Sequence, residues 1–229
     1  DAPPTTERFI LGCLAGYEAM CRVGRALSPA EHYRQHFHPT ATTGRFGAAV
    51  AAGVILELSP DELNSAIGIA ATTAAGSMQF LVDGAWTKRL HPGQAAKAGL
   101  EAALLAKCGI RGTSDGICGE RGFLTAYSAN PSPHELFEGW GTRPLEIHET
   151  SIKAHTCCRY MQGPIDALLD IKNINQIESS LVKRIRVGIP SVATDIIWEP
   201  VKHKRRPLSV VDAQFSMPFG AAVAMRFGR

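Results

Sequence analysis

The sequence predicts a mainly α-helical fold in two parts: a large all-helical domain over residues 1–143, then a smaller α/β domain over residues 144–229. Three observations carry that reading. Apolar residues recur at helical spacing through the first 110 positions, one helix opens on an unambiguous capping sequence, and alternation of two-residue period appears only late in the chain.

Over residues 7–22, Ile10, Leu14, Tyr17 and Cys21 mark one helical face, with Thr6 placed to cap the start. Gly12 and Gly16 lie one turn apart, a spacing that admits a second helix at close range. A second helix is expected over residues 44–58. The next opens on Ser59 as N-cap, Pro60 in the first turn and Glu62 completing a capping box, with Leu63, Ile67, Ala70, Ala71 and Ala74 on its buried face. A fourth, rich in Ala and Gly, should run over residues 93–108 and stop at Gly109. The texture changes near residues 139–144. Ile165, Leu168 and Leu169 fall on a helix, Ile185, Val187 and Ile189 alternate with Arg184, Arg186 and Gly188 as in a half-buried strand, and residues 213–226 read as a final helix.

Composition excludes several function classes. Hydrophobic residues make up 45% and charged residues 20% of 229, with no apolar run long enough to span a membrane, so neither disorder nor membrane insertion is expected. A net charge of +3 from 24 basic and 21 acidic residues is too even for a nucleic-acid footprint. The basic run Lys202, His203, Lys204, Arg205 and Arg206 reads as a solvated loop. Six cysteines, two of them adjacent, form neither a disulfide framework nor a paired zinc motif, and no signal peptide is visible, so a cytoplasmic protein with reduced thiols is expected. The chain does not begin with Met, and a longer parent is expected.

Four stretches place basic or imidazole groups beside Gly, Pro or a helix start: residues 36–39, 83–93, 153–155 and 157–160. Lys88, Arg89, Lys153 and Arg159 can hold anionic charge, while His38, His91 and His155 can move protons. A substrate with two or three carboxylates needs that combination. The plainer readings stand beside it: His before Pro is an ordinary turn residue, Lys88 and Arg89 can be surface charges, and Cys157 and Cys158 can be buried thiols. No carboxylate or thiolate completes a metal set around His32, His36 and His38, so no metal is assigned.

At these stretches the chain resembles the MmgE/PrpD family, which includes 2-methylcitrate dehydratase, cis-aconitate decarboxylase and iminodisuccinate epimerase. The resemblance rests on Gly16-Tyr17-Glu18, Arg22-Val23-Gly24, residues 36–46, residues 83–93, Arg121-Gly122-Phe123 with Tyr127, residues 153–167 and residues 213–219. It implies a large helical domain with a smaller α/β lid, both incomplete in this chain. It further implies a homodimer, a cleft active site between the domains, and chemistry without cofactor or metal. By the resemblance His38, Lys88 and Lys153 are the catalytic set; the side-chain chemistry of the same stretches adds Arg89, His91, His155, Cys158 and Arg159 as expected substrate-binding residues. In the decarboxylase branch a histidine stands where Cys158 is found, and a tyrosine where Phe219 is found. An Asp-rich segment with a His-Pro motif is implied ahead of Asp1, so these residues alone are expected to be inactive.

The expected function is therefore a cofactor-independent lyase acting on a small polycarboxylic acid by proton abstraction next to a carboxylate, first of all a 2-methylcitrate dehydratase. An epimerase, a decarboxylase and a catalytically inactive anion-binding relative stand as alternatives, as does an unrelated helical ligand-binding module.

Overall fold

The computed structural model describes residues 3–228, and helices dominate it. In chain order they are α1 (Thr6–Ala26), α2 (Pro29–Arg34), α3 (Pro39–Thr42), α4 (Gly44–Ile55), α5 (Pro60–Thr72), α6 (Phe80–Asp83), α7 (Thr87–Lys107), α8 (Phe123–Tyr127), α9 (Gln162–Ile174), α10 (Val201–Arg205), α11 (Val210–Gln214) and α12 (Met217–Phe227). The chain divides into two compact units. The first runs up to Met78 and resumes at Thr87–Thr150; the second comprises Gln79–Trp86 and the residues from Ser151 onward.

In the first unit α4 packs against α1, α5 and α7. The α1–α4 approach is set by glycine, as the one-turn spacing of Gly12 and Gly16 predicts. A Cβ on Gly16 would stand 2.9 Å from the Gly47 carbonyl oxygen, and one on Gly47 would stand 2.8 Å from that of Gly16. Neither position has room for a side chain. Phe46, on the same helix, is buried edge-on against Phe123 at 4.7 Å between centroids, in a core with Val23, Leu27 and Leu124.

Start signals decide where these helices begin. The capping box at Ser59 forms in full: Ser59 Oγ accepts from Glu62 N–H at 3.4 Å, and the Glu62 carboxylate accepts from Ser59 N–H at 2.7 Å. At α1 the cap is Thr5 rather than Thr6, its hydroxyl accepting from Arg8 N–H at 3.2 Å. On α5, Ala70 is buried and Leu63, Ile67 and Ala71 are half-buried as expected, but Ala66 and Gly68 also face the core. The fourth expected helix begins at Thr87, six residues before Gly93, and carries Pro92 inside it. Proline lacks the N–H that the Lys88 carbonyl would accept, yet that loss falls early in a 21-residue helix whose later turns pack against α4 and α5.

Charge ties α1 to the chain that follows α8. Buried Arg22 donates to the Leu136 and Glu138 carbonyls at 3.2 and 3.1 Å, pairs with Glu18 at 2.8 Å, and lies 4.7 Å over the Trp140 ring. Arg25 pairs with Glu135 and Glu146. Burial pushes the Glu18 carboxyl up, but the Arg22 hydrogen bond, the Glu146 N–H and the charges of Arg22 and Arg25 outweigh it and hold the carboxyl below its ordinary value.

The second unit departs from the expected α/β pattern. Residues 182–190 belong to no helix or strand, with Ile185, Val187 and Ile189 half-buried and Arg184, Arg186 and Gly188 exposed, so the two-residue alternation is present. A strand also needs a neighbour's backbone. Among the described residues none pairs with 183–189, and the single β-bridge joins Phe37 to Ser77 in the first unit. The segment instead flanks a groove of 740 Å³ whose other wall includes Met217, Pro218 and Ala221 of α12. The final helix starts four residues later than expected, because Ser216 Oγ caps Phe219 N–H at 3.1 Å ahead of Pro218. The basic run read as a solvated loop forms α10. Four of its five residues are exposed, but Lys204 is buried and donates to the Ile196 carbonyl at 2.7 Å. No helix of the described residues is long and apolar enough to cross a membrane.

Candidate functional site

His38 stands at the start of α3, immediately before Pro39, which holds it extended at φ −92° and ψ 111°. Its N–H donates to the Gly76 carbonyl at 2.9 Å, and its carbonyl accepts from Ala41 N–H at 2.9 Å. On either side, Phe37 bridges to Ser77 and Met78 N–H donates to the His36 carbonyl at 2.9 Å. The loop that carries the imidazole is thus pinned along its length to residues 76–78.

Below it lies His32, fully buried. Its Nδ1 meets the Tyr127 carbonyl at 2.9 Å and its Nε2 meets Thr42 Oγ1 at 2.8 Å. A carbonyl only accepts, so Nδ1 carries the proton and Nε2 accepts from the Thr42 hydroxyl. Burial holds the His32 imidazole below its ordinary pKa, the Tyr127 hydrogen bond opposing that only in part. This is a structural histidine, satisfied at both nitrogens.

His38 meets His91 of α7: the two Nδ1 atoms are 2.8 Å apart and the rings are 5.0 Å apart, tilted by 38°. Lys88 lies one helical turn before His91. Burial first, then the charges of Lys88 and of Arg45 on α4, hold the His91 imidazole below its ordinary value, so it stays neutral at physiological pH. His38, Lys88 and His91 are each half-buried; Arg89 on the same helix is exposed. The arrangement is a coupled imidazole pair beside a cation, able to exchange one proton while holding an anion. Arg45 escaped the sequence reading because its bond to the Thr73 carbonyl and its action on His91 link positions far apart in the chain.

In the second unit the loop before α9 carries Lys153, His155, Cys157, Cys158 and Arg159. Gln162, buried at the start of α9, clamps it: its carbonyl oxygen accepts from His155 N–H at 2.9 Å, and its nitrogen donates to the His155 carbonyl at 3.0 Å and Cys157 Sγ at 3.2 Å. His155 Nε2 lies 2.7 Å from Asp166 Oδ1, an orienting carboxylate that the sequence reading did not single out. Lys153 and Arg159 are exposed, while Cys158 is buried at 8% exposure. Burial, with Cys158 adding to it and Lys153 opposing, raises the Cys157 thiol, which therefore stays protonated at neutral pH. Among the described residues no three His, Cys, Asp or Glu side chains converge as a metal-ligand set.

Two family models cover nearly the whole chain, the MmgE/PrpD N-terminal domain over residues 1–136 and the MmgE/PrpD C-terminal domain over residues 155–229. The chain belongs to the MmgE/PrpD family. It is 28% identical to cis-aconitate decarboxylase of Aspergillus terreus, over 94% of this chain and 46% of that protein. Identity is 30% to the cis-aconitate decarboxylase-like protein oryM of Aspergillus oryzae, over 96% and 48%, and 34% to cis-aconitate decarboxylase of Mus musculus, over 84% and 41%. The chain thus spans about half the length of the curated relatives it matches. Their names fit the decarboxylase alternative of the sequence reading better than the 2-methylcitrate dehydratase placed first there.

Proposed function

We propose that the protein containing this chain is a cofactor-independent lyase that decarboxylates a small unsaturated polycarboxylic acid of the cis-aconitate type. The observation that carries this reading is the His38–His91 contact beside Lys88. Lys88 holds a substrate carboxylate, and His38 exchanges a proton at the adjacent carbon. In the reaction the bond between carbon and one carboxylate breaks, carbon dioxide leaves, and the electron pair spreads into the neighbouring unsaturated acid until a proton is returned to carbon. A nearby cation favours that electron-rich state.

Lys153 and Arg159 enter the proposal as further carboxylate ligands, with Lys153 also a proton-transfer candidate, and Arg89, His155 and Cys158 as residues of the same substrate-binding set. Support for these roles is the chemistry of the side chains and, for Lys153, the family resemblance. A homodimer and a cytoplasmic location belong to the proposal on the same ground. Decarboxylation stands ahead of dehydration because the relatives named above are decarboxylases. The presence of Cys158 and Phe219, where the decarboxylase branch has histidine and tyrosine, leaves room for a different member of the substrate class.

The test is carbon dioxide release by the full-length protein supplied with cis-aconitate, and with 2-methylcitrate as the competing substrate. Lys88→Ala should lower kcat/KM at least a hundredfold while leaving the far-ultraviolet circular dichroism unchanged. Turnover of 2-methylcitrate with none of cis-aconitate would overturn the decarboxylase reading; unchanged kinetics of the variant would remove Lys88 from the site.

A further inference from the structure

We propose that Asp166 is a positioning residue for His155: its carboxylate holds the imidazole by Nε2–H, so that Nδ1 is the nitrogen presented to a substrate carboxylate, which it binds as the Nδ1–H of an imidazolium. This rests on the proposed function for its substrate and gives the binding role of His155 a definite atom and charge.

The partner dictates where the hydrogen sits. A carboxylate accepts and does not donate, so the 2.7 Å contact with Asp166 Oδ1 places hydrogen on His155 Nε2 whether the ring is neutral or charged. Among the described residues the other nitrogen, Nδ1, has no hydrogen-bond partner. A bare Nδ1 and a carboxylate are both acceptors and repel; a carboxylate therefore binds there only when Nδ1 also carries hydrogen. The imidazolium so formed lies between two anionic groups, Asp166 at Nε2 and the substrate at Nδ1, and both favour it. Lys153 is the like charge on this loop, near enough to act on the Cys157 thiol as Asp166 does. Asp166, at hydrogen-bond distance from the ring, offsets it.

Placing the loop does not require this pair. Gln162 already holds the His155 backbone at both N–H and carbonyl, at 2.9 and 3.0 Å, and Cys157 N–H donates to the same carbonyl at 2.8 Å. What Asp166 adds is the setting of the ring. It stands one turn after Gln162 on α9, so one ridge of that 13-residue helix grips backbone and imidazole together. Two cations, Lys153 and Arg159, stand on the same loop, yet among the described residues Asp166 pairs with neither and is committed to His155. Side-chain exposures of 21% for His155 and 57% for Asp166 leave the pair within reach of a solute and make it a minor contributor to stability.

Two variants of the full-length protein separate this role from a structural one. Asp166→Asn keeps an acceptor for Nε2–H but removes the charge; Asp166→Leu removes both. With cis-aconitate as substrate, Asp166→Leu should raise KM about fivefold with kcat changed less than about twofold, and Asp166→Asn should fall between it and wild type. In a His155→Leu background Asp166→Leu should raise KM no further, because it acts through the ring. Both single Asp166 variants should melt within about 4 °C of wild type. Nitrogen-15 NMR of imidazole-labelled protein reads the same contact without turnover. At a pH where the free protein shows a bare Nδ1 on His155, saturation with propane-1,2,3-tricarboxylate, which lacks the reactive double bond, should protonate that nitrogen.

An Nδ1–H tautomer in the free protein, an Nδ1 that stays bare at saturation, additive effects of the two Leu substitutions, or a loss of kcat with KM unchanged would each overturn the assignment. If cis-aconitate is neither bound nor turned over while the Nε2–H tautomer is present and is lost in Asp166→Leu, the functional reading fails and the hold of Asp166 on His155 stands.

Discussion

Replacing His32 by Leu isolates the energetic part played by the buried imidazole beneath the candidate site. Leucine has similar volume, so little cavity is left, and the perturbation is loss of the hydrogen bonds to the Tyr127 carbonyl and to Thr42. Neither partner is stranded outright. Thr42 Oγ1 can turn to the Pro39 carbonyl at 3.3 Å, and the Gln35 amide, oriented with its nitrogen toward Tyr127, reaches that carbonyl at 3.2 Å. The cost is therefore two net hydrogen bonds, about 2 kcal/mol. For a chain of this size that lowers Tm by roughly 4–8 °C.

The wild-type protein should also show a pH dependence that the variant lacks. The folded-state pKa of His32 lies below its unfolded value, so folding is favoured while the ring is neutral. That contribution is complete above the unfolded value of about 6.5 and is lost as pH falls through the lower folded value. Calorimetry at pH 7.5 and 5.5 reads both effects. A variant within 1 °C of wild type at pH 7.5, on the roughly 2–4 °C per kcal/mol scale, would refute the hydrogen-bond account. An equal acid-induced drop in both proteins would refute the assignment of that drop to His32.

Two further outcomes follow from the packing of the first unit. Phe46→Ala removes a fully buried ring and its contact with Phe123, and should cost about 3–5 kcal/mol, measured as a shift of the denaturant midpoint at constant slope. Arg22→Met exchanges a buried cation for an apolar chain of similar length and removes the ion pair with Glu18, which keeps the Glu146 N–H. Because the Glu18 carboxyl is held below its ordinary value, its contribution is present above the unfolded value of about 4.3 and is lost as pH falls. The variant should therefore lose the part of the wild-type acid unfolding profile that lies below that pH; an unchanged profile would exclude the pair as its source.

Local signals were legible in the sequence, and partners distant in the chain were not. The capping box at Ser59 and the close approach through Gly12 and Gly16 both follow from residues within one helix, and both form. Residues 185–189 show the limit of a local pattern: the alternation correctly predicts which side chains are covered, but a ladder requires backbone elsewhere that no local period can reveal. The start of α7 was placed too late because Pro92 reads as a boundary, although tertiary packing outweighs one missing hydrogen bond. At the candidate site, His38 and Lys88 were singled out by chemistry and by resemblance, and His91 by chemistry. What escaped notice was that His91 faces another histidine rather than open space, since that contact joins residues 53 positions apart. Arg45 and Asp166 were missed for the same reason.

The glycine contacts on α4 have a consequence that reaches the imidazoles. Gly47 on one flank meets α1, and on the opposite flank Gly99 of α7 lies against Ala48 and the backbone of Arg45 and Ala49. Helix α4 is gripped on both sides with no slack, so it serves as a fixed spacer. Residues that perform no chemistry thereby regulate the separation between the Arg45 charge and the α7 histidine, and widening either seam by the width of one methyl group would alter the electric field at His91.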